Sequence, residues 1–496
     1  MITEKIKYLT KHKKSAYWKK IQEKKSLQLF HDAAERVPAY KNFLIANKIN
    51  HKKIISFTDF QKVPFVTKKN YLSKNTLADL AWDGKLTQPL VYTATSGTTG
   101  TPSFFMRTNT LDWQYSLLVE QFLESSQINL KKPVLVINCF GMGLWIAGLI
   151  TYKAFEIAAI RKDYPISIIT PGINKREIVN ILKLLAPQYE QIIFTGYPPF
   201  LKDIFDDSKK ENIHLKKYKI KILFAAEAIT EPFRDYVAHQ CGIKNVYRDI
   251  INIYGSADIG AMAVETLSGI LIKRLTSENS NLAKELFATD NKSGTFAQYN
   301  PLFINFEAVN GEIVLTGDSA LPLIRYAIGD KGGVYDFLTV ENIFKKHGYD
   351  IQKEVSLRKI DDSVNELPFV YIYERVDLST TFYGMWIYPQ WLKNSLILSP
   401  INRYLTGKFT LMTKFDSFQN QYLEINLEMQ KGKKISPAKK RLILEKIVSS
   451  LRISSSEYRE LSDKLGNKVW PKLIFWPYES DIHFRPGVKQ KWVKKI

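Results

Sequence analysis

From about residue 88 to residue 330 the chain alternates β-branched runs with helical stretches, and nothing else in the sequence restricts its fold as strongly. Runs at 90–95, 134–137, 166–170, 191–195, 220–224 and 251–254 are separated by stretches of helical periodicity such as 175–185 and 231–239. Strand–helix alternation of this kind predicts parallel or mixed sheets covered by helices. Residues 1–85 read as helical and polar. An amphipathic stretch at 27–34 stops at Arg36-Val37-Pro38, because the residue before a proline is pushed out of helical geometry. Beyond about 375 the pattern changes to a smaller α+β unit, with strands at 409–413 and 422–428 and a helix at 437–451. At 496 residues the chain is longer than a single core usually grows. The expected class is therefore α/β: a large N-terminal domain of mixed sheets covered by helices (a helical part at 1–85, a core at 86–374) and a small α+β C-terminal domain at 375–496.

Composition narrows the function classes. Cys139 and Cys241 are too few for a disulfide framework or a Cys-rich zinc site, and they suit a reducing cytoplasm. Lys+Arg 71 against Asp+Glu 49 leaves a net charge of +22, which reads first as a lysine-rich composition bias spread over a solvated surface and second as attraction to polyanions such as nucleotides, coenzyme A, nucleic acid or an anionic membrane. The lysines are scattered and no nucleic-acid module accompanies them, so nucleic acid is not expected as a partner. The N-terminal segment has no apolar core of the secretory kind. Residues 133–152 carry no charge and reach the length of a membrane span. They divide, however, into a β-type run at 134–137 and the glycine-bearing Phe140-Gly141-Met142-Gly143-Leu144-Trp145, which predicts a buried strand, a loop and a core helix instead. Oligomerisation is left open.

The segment Thr95-Ser96-Gly97-Thr98-Thr99-Gly100 joins two β-type runs. Glycines let backbone N–H groups approach phosphate oxygens, and the hydroxyls donate further hydrogen bonds. It is not a Walker A loop, since no Lys precedes its final Ser or Thr. A flexible hairpin turn has the same composition, so both readings stand on these residues alone.

Thr95 to Pro102 resembles the phosphate loop of the adenylate-forming superfamily, which includes acyl-CoA synthetases, luciferases and peptide-synthetase adenylation domains. Other segments resemble its phenylacetate–CoA ligase branch, some of whose relatives serve capsular polysaccharide biosynthesis. Arg36-Val37-Pro38-Ala39-Tyr40 and Val63-Pro64-Phe65-Val66-Thr67-Lys68 are similar to its N-terminal elements, Phe140–Leu144 to its YGYGL segment, and Ala226-Glu227-Ala228-Ile229-Thr230 to its GAEPxT element. Tyr254-Gly255-Ser256-Ala257-Asp258 resembles the YGxTE motif, with Asp in place of Glu. Leu321 to Asp330 resembles LPLIRYRTGD, with Ala327 and Ile328 in place of Arg and Thr. Glu374-Arg375-Val376-Asp377, with Gly384 and Pro389, resembles the element that opens a mobile C-terminal lid. The tail Pro486-Gly487-Val488-Lys489-Gln490-Lys491 is similar to the family's terminal lysine segment, with Val488 inserted before the lysine.

This resemblance implies an AMP-forming acid–CoA ligase. ATP would be held by Thr95, Ser96, Gly97, Thr98, Thr99 and Gly100, with Glu227, Tyr254, Gly255, Ser256, Asp330 and Arg375. Asp258 would bind Mg²⁺, and Lys489, with Lys491 second, would be the catalytic lysine. Phe140, Trp145, Tyr197 and Ile259 would line a pocket for a small-molecule carboxylic acid. Coenzyme A is the expected acceptor; a carrier thiol, an amine or a sugar hydroxyl, or a nucleotide-binding chain that has lost catalysis, are the rival implications.

Overall fold

The computed structural model describes residues 2–95, 103–126, 128–287, 294–360, 364–375, 379–397, 400–484 and 492–494. A short antiparallel hairpin is made by β1 (Val91–Thr95) and β2 (Ser103–Arg107). The body of the molecule is a sheet of eleven strands. These are β3 (Val134–Asn138), β4 (Ile166–Ile169), β5 (Gln191–Gly196), β6 (Lys219–Ala225), β7 (Ile250–Ser256), β8 (Gly260–Val264), β9 (Thr295–Gln298), β10 (Ile304–Val309), β11 (Glu312–Gly317), β12 (Leu323–Tyr335) and β13 (Phe369–Arg375). Their spatial order is β10-β11-β12-β13-β9-β8-β7-β6-β5-β3-β4.

The five strands from β7 to β4 in that order are parallel, and every other pairing is antiparallel. The central parallel strands β3 and β5 are buried along their whole length. This burial on both faces is why they read as unbroken apolar runs. Helices Ile146–Lys162, Lys175–Leu184, Pro198–Lys210 and Glu231–Cys241 form the connections between them. The uncharged stretch at 133–152 falls into β3, a loop and the start of the helix Ile146–Lys162, and among the described residues no helix is long and apolar enough to cross a membrane.

The N-terminal part is helical, as its sequence predicts. The helix Ser15–Arg36 ends at Val37, whose backbone is extended, and Pro38 opens the next helix, Pro38–Ala46, at a position where its missing N–H is not needed. After β13 come the pair β14 (Thr380–Phe382) and β15 (Met385–Ile387), then a three-stranded sheet of β16 (Leu405–Phe415), β17 (Gln421–Met429) and β18 (Lys472–Trp476). Helices Pro437–Ser454 and Ser456–Leu465 pack beside it. One buried apolar cluster runs from Phe194 and Phe224 through Phe382 and Trp391 to Phe409 and Leu427, so the smaller unit is seated on the parallel half of the sheet.

Candidate active site

Four adjacent parallel strands deliver candidate residues to one edge of the sheet. Phe140 follows β3, Tyr197 follows β5, Glu227 follows β6 and Asp258 follows β7, each within two residues of the strand's carboxyl end. Open α/β sheets bind ligands in the crevice outside these ends, where side chains from successive strands converge.

The antiparallel half completes the edge. The Tyr254 hydroxyl donates to Asp330 Oδ2 at 2.5 Å, and Asp330 is only 4% exposed. Three strands separate β7 from β12 in the sheet order. At about 4.8 Å per strand a flat sheet would hold them about 19 Å apart, so the bond records a sheet bent until its halves face each other. The bend falls where β8 and β9 pair through one residue couple, Val264 and Gln298. Antiparallel register sets Arg375 opposite Asp330. The Tyr254 ring lies 6.2 Å from that of Phe306. Gly255 is needed where it stands, since a Cβ would come within 2.8 Å of the Gly260 carbonyl oxygen.

Asp258 sits in the turn after β7, its N–H donating to Ser256 Oγ at 3.3 Å. Its buried carboxylate accepts a hydrogen bond from the Tyr326 hydroxyl at 2.7 Å and lies 3.3 Å from Lys68 Nζ. Lys68 is carried there by an extended segment clipped to β12: Val66 N–H donates to the Arg325 carbonyl and Ala327 N–H to the Val66 carbonyl. Lys68 Nζ also lies 5.4 Å from the Phe105 ring on β2, which brings the β1–β2 hairpin to the same place. Neither Lys68 nor Tyr326 has an assigned role in the sequence reading, although both lie inside the segments that carry the resemblance.

A second cluster joins the two units. Ala226 adopts φ +75, a strained backbone for a residue with a side chain, and presents Glu227 to the smaller unit. The Glu227 carboxylate accepts from the Gly384 N–H and from Gln421 Nε2, the latter at 2.6 Å. Burial outweighs these two hydrogen bonds and pushes its pKa up to about 7. Tyr197 packs edge-on against Phe140 at 5.1 Å, and Gly384 (φ +81) lies against its ring so closely that a Cβ would come within 2.3 Å. Trp145 Nε1 donates to Glu460 Oε2 at 3.0 Å.

The structure therefore brings Tyr254, Gly255, Ser256, Asp258 and Asp330 into one cluster, and Phe140, Tyr197 and Glu227 into a neighbouring one under Gly384. Ile259 is buried in the apolar cluster that includes Met262, Ile304 and Phe306. Thr95 closes β1 opposite Ser103. Ser96, Gly97, Thr98, Thr99, Gly100, Lys489 and Lys491 lie outside the described residues, as does the side chain of Arg375.

A ribose suits Asp330, a buried carboxylate of the kind that can accept from two hydroxyls. A magnesium ion fits less fully. Asp258 is already paired with Lys68, and among the described residues no group of three or more His, Cys, Asp or Glu is placed to hold a metal ion. One carboxylate is nonetheless enough where phosphate oxygens and water complete the shell.

No family model matches the chain, and no curated protein matches it. Among solved structures it is similar to 2-hydroxyisobutyryl-CoA ligase in three states, each at 15% sequence identity. In complex with 2-HIB-AMP and CoA in the thioesterification state the TM-score is 0.64, over 98% of this chain and 91% of that one. In the postadenylation state with 2-HIB-AMP it is 0.54 over the same shares, and in an open conformation with 2-HIB-AMP and CoA it is 0.50 over 96% and 91%. A bent mixed sheet with a small α+β unit seated on its carboxyl edge is thus the fold this chain has in common with 2-hydroxyisobutyryl-CoA ligase.

Proposed function

We propose that the chain activates a carboxylic acid as an acyl-adenylate at the expense of ATP and passes the acyl group to a thiol, coenzyme A first among the acceptors. The observation that carries this reading is the gathering of Tyr254, Asp258 and Asp330, with Lys68, at the carboxyl edge of the sheet. In the first step a substrate carboxylate oxygen bonds to the α-phosphorus while the bond to pyrophosphate breaks. Carboxylate and triphosphate repel each other, so the site must supply positive charge and alignment. Lys68 brings one such charge. The amides of 96–100 and a lysine at 489 or 491 are proposed to bring the rest. Asp330 holds the ribose and Tyr254 lies beside the adenine. Asp258 would hold a magnesium ion brought with the triphosphate, which would offset phosphate charge, and Lys68 would face the phosphates.

The arrangement of the two units supports a transfer step. The TM-score is higher against the thioesterification state of 2-hydroxyisobutyryl-CoA ligase than against its postadenylation or open states, although the protein compared is the same.

Mass spectrometry of the purified chain incubated with ATP, magnesium and a panel of acids tests the reading. It should detect an acyl-AMP with at least one acid, converted on adding CoA or an amine. Absence of any acyl-AMP and of AMP across the panel contradicts it.

A further inference from the structure

Three separate segments of the smaller unit converge on two consecutive residues of the helix Pro198–Lys210, Lys202 and Asp203. Asn420, just before β17, accepts a hydrogen bond from Lys202 Nζ at 2.7 Å. The Tyr383 hydroxyl, from the turn between β14 and β15, donates to Asp203 Oδ2 at 2.9 Å. Lys468 Nζ, from the short turn Gly466–Val469, pairs with Asp203 Oδ1. Lys202 is 1% exposed and Asp203 is 2% exposed, so both sit beneath the junction of the units and not at its rim.

The two charges differ in what each has without the smaller unit. Lys202 has Asp206 at 2.5 Å on its own helix, so its charge is matched in either case. Asp203 has Lys175 at 3.6 Å in the larger unit, and Lys175 lies closer to Asp207, at 3.0 Å. Among the described residues Asp203 is the one acid within ion-pair distance of Lys468. A buried carboxylate without a close counter-charge is costly, so Lys468 supplies what Asp203 lacks. The backbone points the same way. Tyr383 (φ +50) and Gly384 (φ +81) form a two-residue turn between the paired Phe382 and Met385. Such a turn takes positive φ at both places, where Asn-Gly is the favoured pair and a bulky tyrosine is strained. Strain of this kind persists where the surroundings fix it. Here Gln421 Oε1 accepts from the Tyr383 N–H at 2.7 Å, and Asp203 accepts from its hydroxyl.

We infer that Tyr383 and Lys468 are positioning residues for the transfer step, holding the smaller unit on the larger by closing on Asp203. The inference rests on the proposed function, which assigns the seated arrangement to transfer. Among the described residues Tyr383 and Lys468 make their polar contacts with Asp203 and Gln421, and none with the Tyr254–Asp258–Asp330 cluster. They act through the placement of the smaller unit and not on the reacting atoms. Contacts that do not reach that cluster can be lost without altering acid activation, so removing them should separate the two half-reactions.

Activation is measured by ATP–pyrophosphate exchange with the acid that gives the strongest acyl-AMP signal. Transfer is measured by single-turnover conversion of preformed acyl-AMP with CoA, or with the amine that accepts it. Lys468→Met and Tyr383→Phe should each slow transfer on the order of 10-fold and leave exchange unchanged. Adding Asp203→Asn to Lys468→Met should bring little further loss, because both changes remove the same pair. Each single variant should also scatter X-rays as a more extended particle, a readout that needs no acid. Lys210→Met, at an exposed ion pair with Asp207 on the same helix, should change none of these. The inference is overturned, with the adenylation reading intact, by transfer slowed no more than exchange, by scattering as compact as that of the unmodified chain, or by additive losses in the double variant. Acyl-AMP without any transfer product from the unmodified chain overturns it as well. If no acid yields acyl-AMP, the adenylation reading falls, and the inference falls with it.

Discussion

At Glu227, burial and hydrogen bonding pull the carboxyl in opposite directions, and burial wins: its pKa rises from 4.5 to about 7. A carboxyl whose pKa is raised by docking favours the docked arrangement when protonated. Its contribution is complete below pH 4.5 and is lost as pH rises through about 7. Seating of the smaller unit should therefore weaken between pH 5 and 7.5, read by limited proteolysis at the junction. Glu227→Gln keeps an acceptor for Gly384 or Gln421 and should flatten that profile; an unchanged slope would contradict the assignment. Asp258 answers a different question. In Asp258→Asn the side-chain oxygen still accepts from Tyr326, so the thermal midpoint should barely move, yet the charge facing Lys68 is gone. Exchange activity should fall on the order of 100–1000-fold, as when a charge-stabilising group is removed; a loss below 10-fold would remove Asp258 from the chemistry. Tyr254, Asp258 and Asp330 were legible in the sequence because each lies in a motif of fixed local spacing. The pairing of Lys68 with Asp258 was not, since it joins segments distant in the chain, and no local pattern encodes a contact of that kind.

Among the elements, β3, β5, β6 and β7 could be read directly, because strands buried on both faces are continuous apolar runs. The antiparallel strands β8 and β9 could not. They are short, include glycine and alanine, and β9 takes its pairing from β13, far along the chain. The ionic network beneath β6 and β8 was equally hidden. Arg234 Nη2 donates to Glu265 Oε2 at 2.7 Å and Lys273 Nζ to Glu265 Oε1 at 2.6 Å, all three side chains being buried. Removing one partner strands the others in a medium of low dielectric constant. Glu265→Ala should cost about 3–5 kcal/mol in urea-induced unfolding. A loss under 1 kcal/mol would show that water reaches the network.

For the whole molecule, the seating of the smaller unit depends on one residue without a side chain. Gly384 combines a left-handed φ with contact against Tyr197, so Gly384→Val is strained by its backbone and collides with the ring at once. That variant should scatter X-rays as a more extended particle. It should keep acyl-AMP formation while losing at least 10-fold in transfer to the acceptor. Equal loss in both half-reactions would mean that the contact serves stability alone. The smaller sheet that follows β13 was legible as a change of pattern. How the second unit sits on the first was not, because Glu227, Gly384 and Gln421 meet only in three dimensions.

On the proposed reading, the carboxyl edge of the bent sheet grips an adenine nucleotide and directs a carboxylate onto it. ATP–pyrophosphate exchange in magnesium buffer measures this most directly. The account predicts exchange that requires an added carboxylic acid and is lost in Asp330→Ala through a raised KM for ATP. Exchange that is absent with every acid, or that survives Asp330→Ala with KM for ATP unchanged, would contradict it.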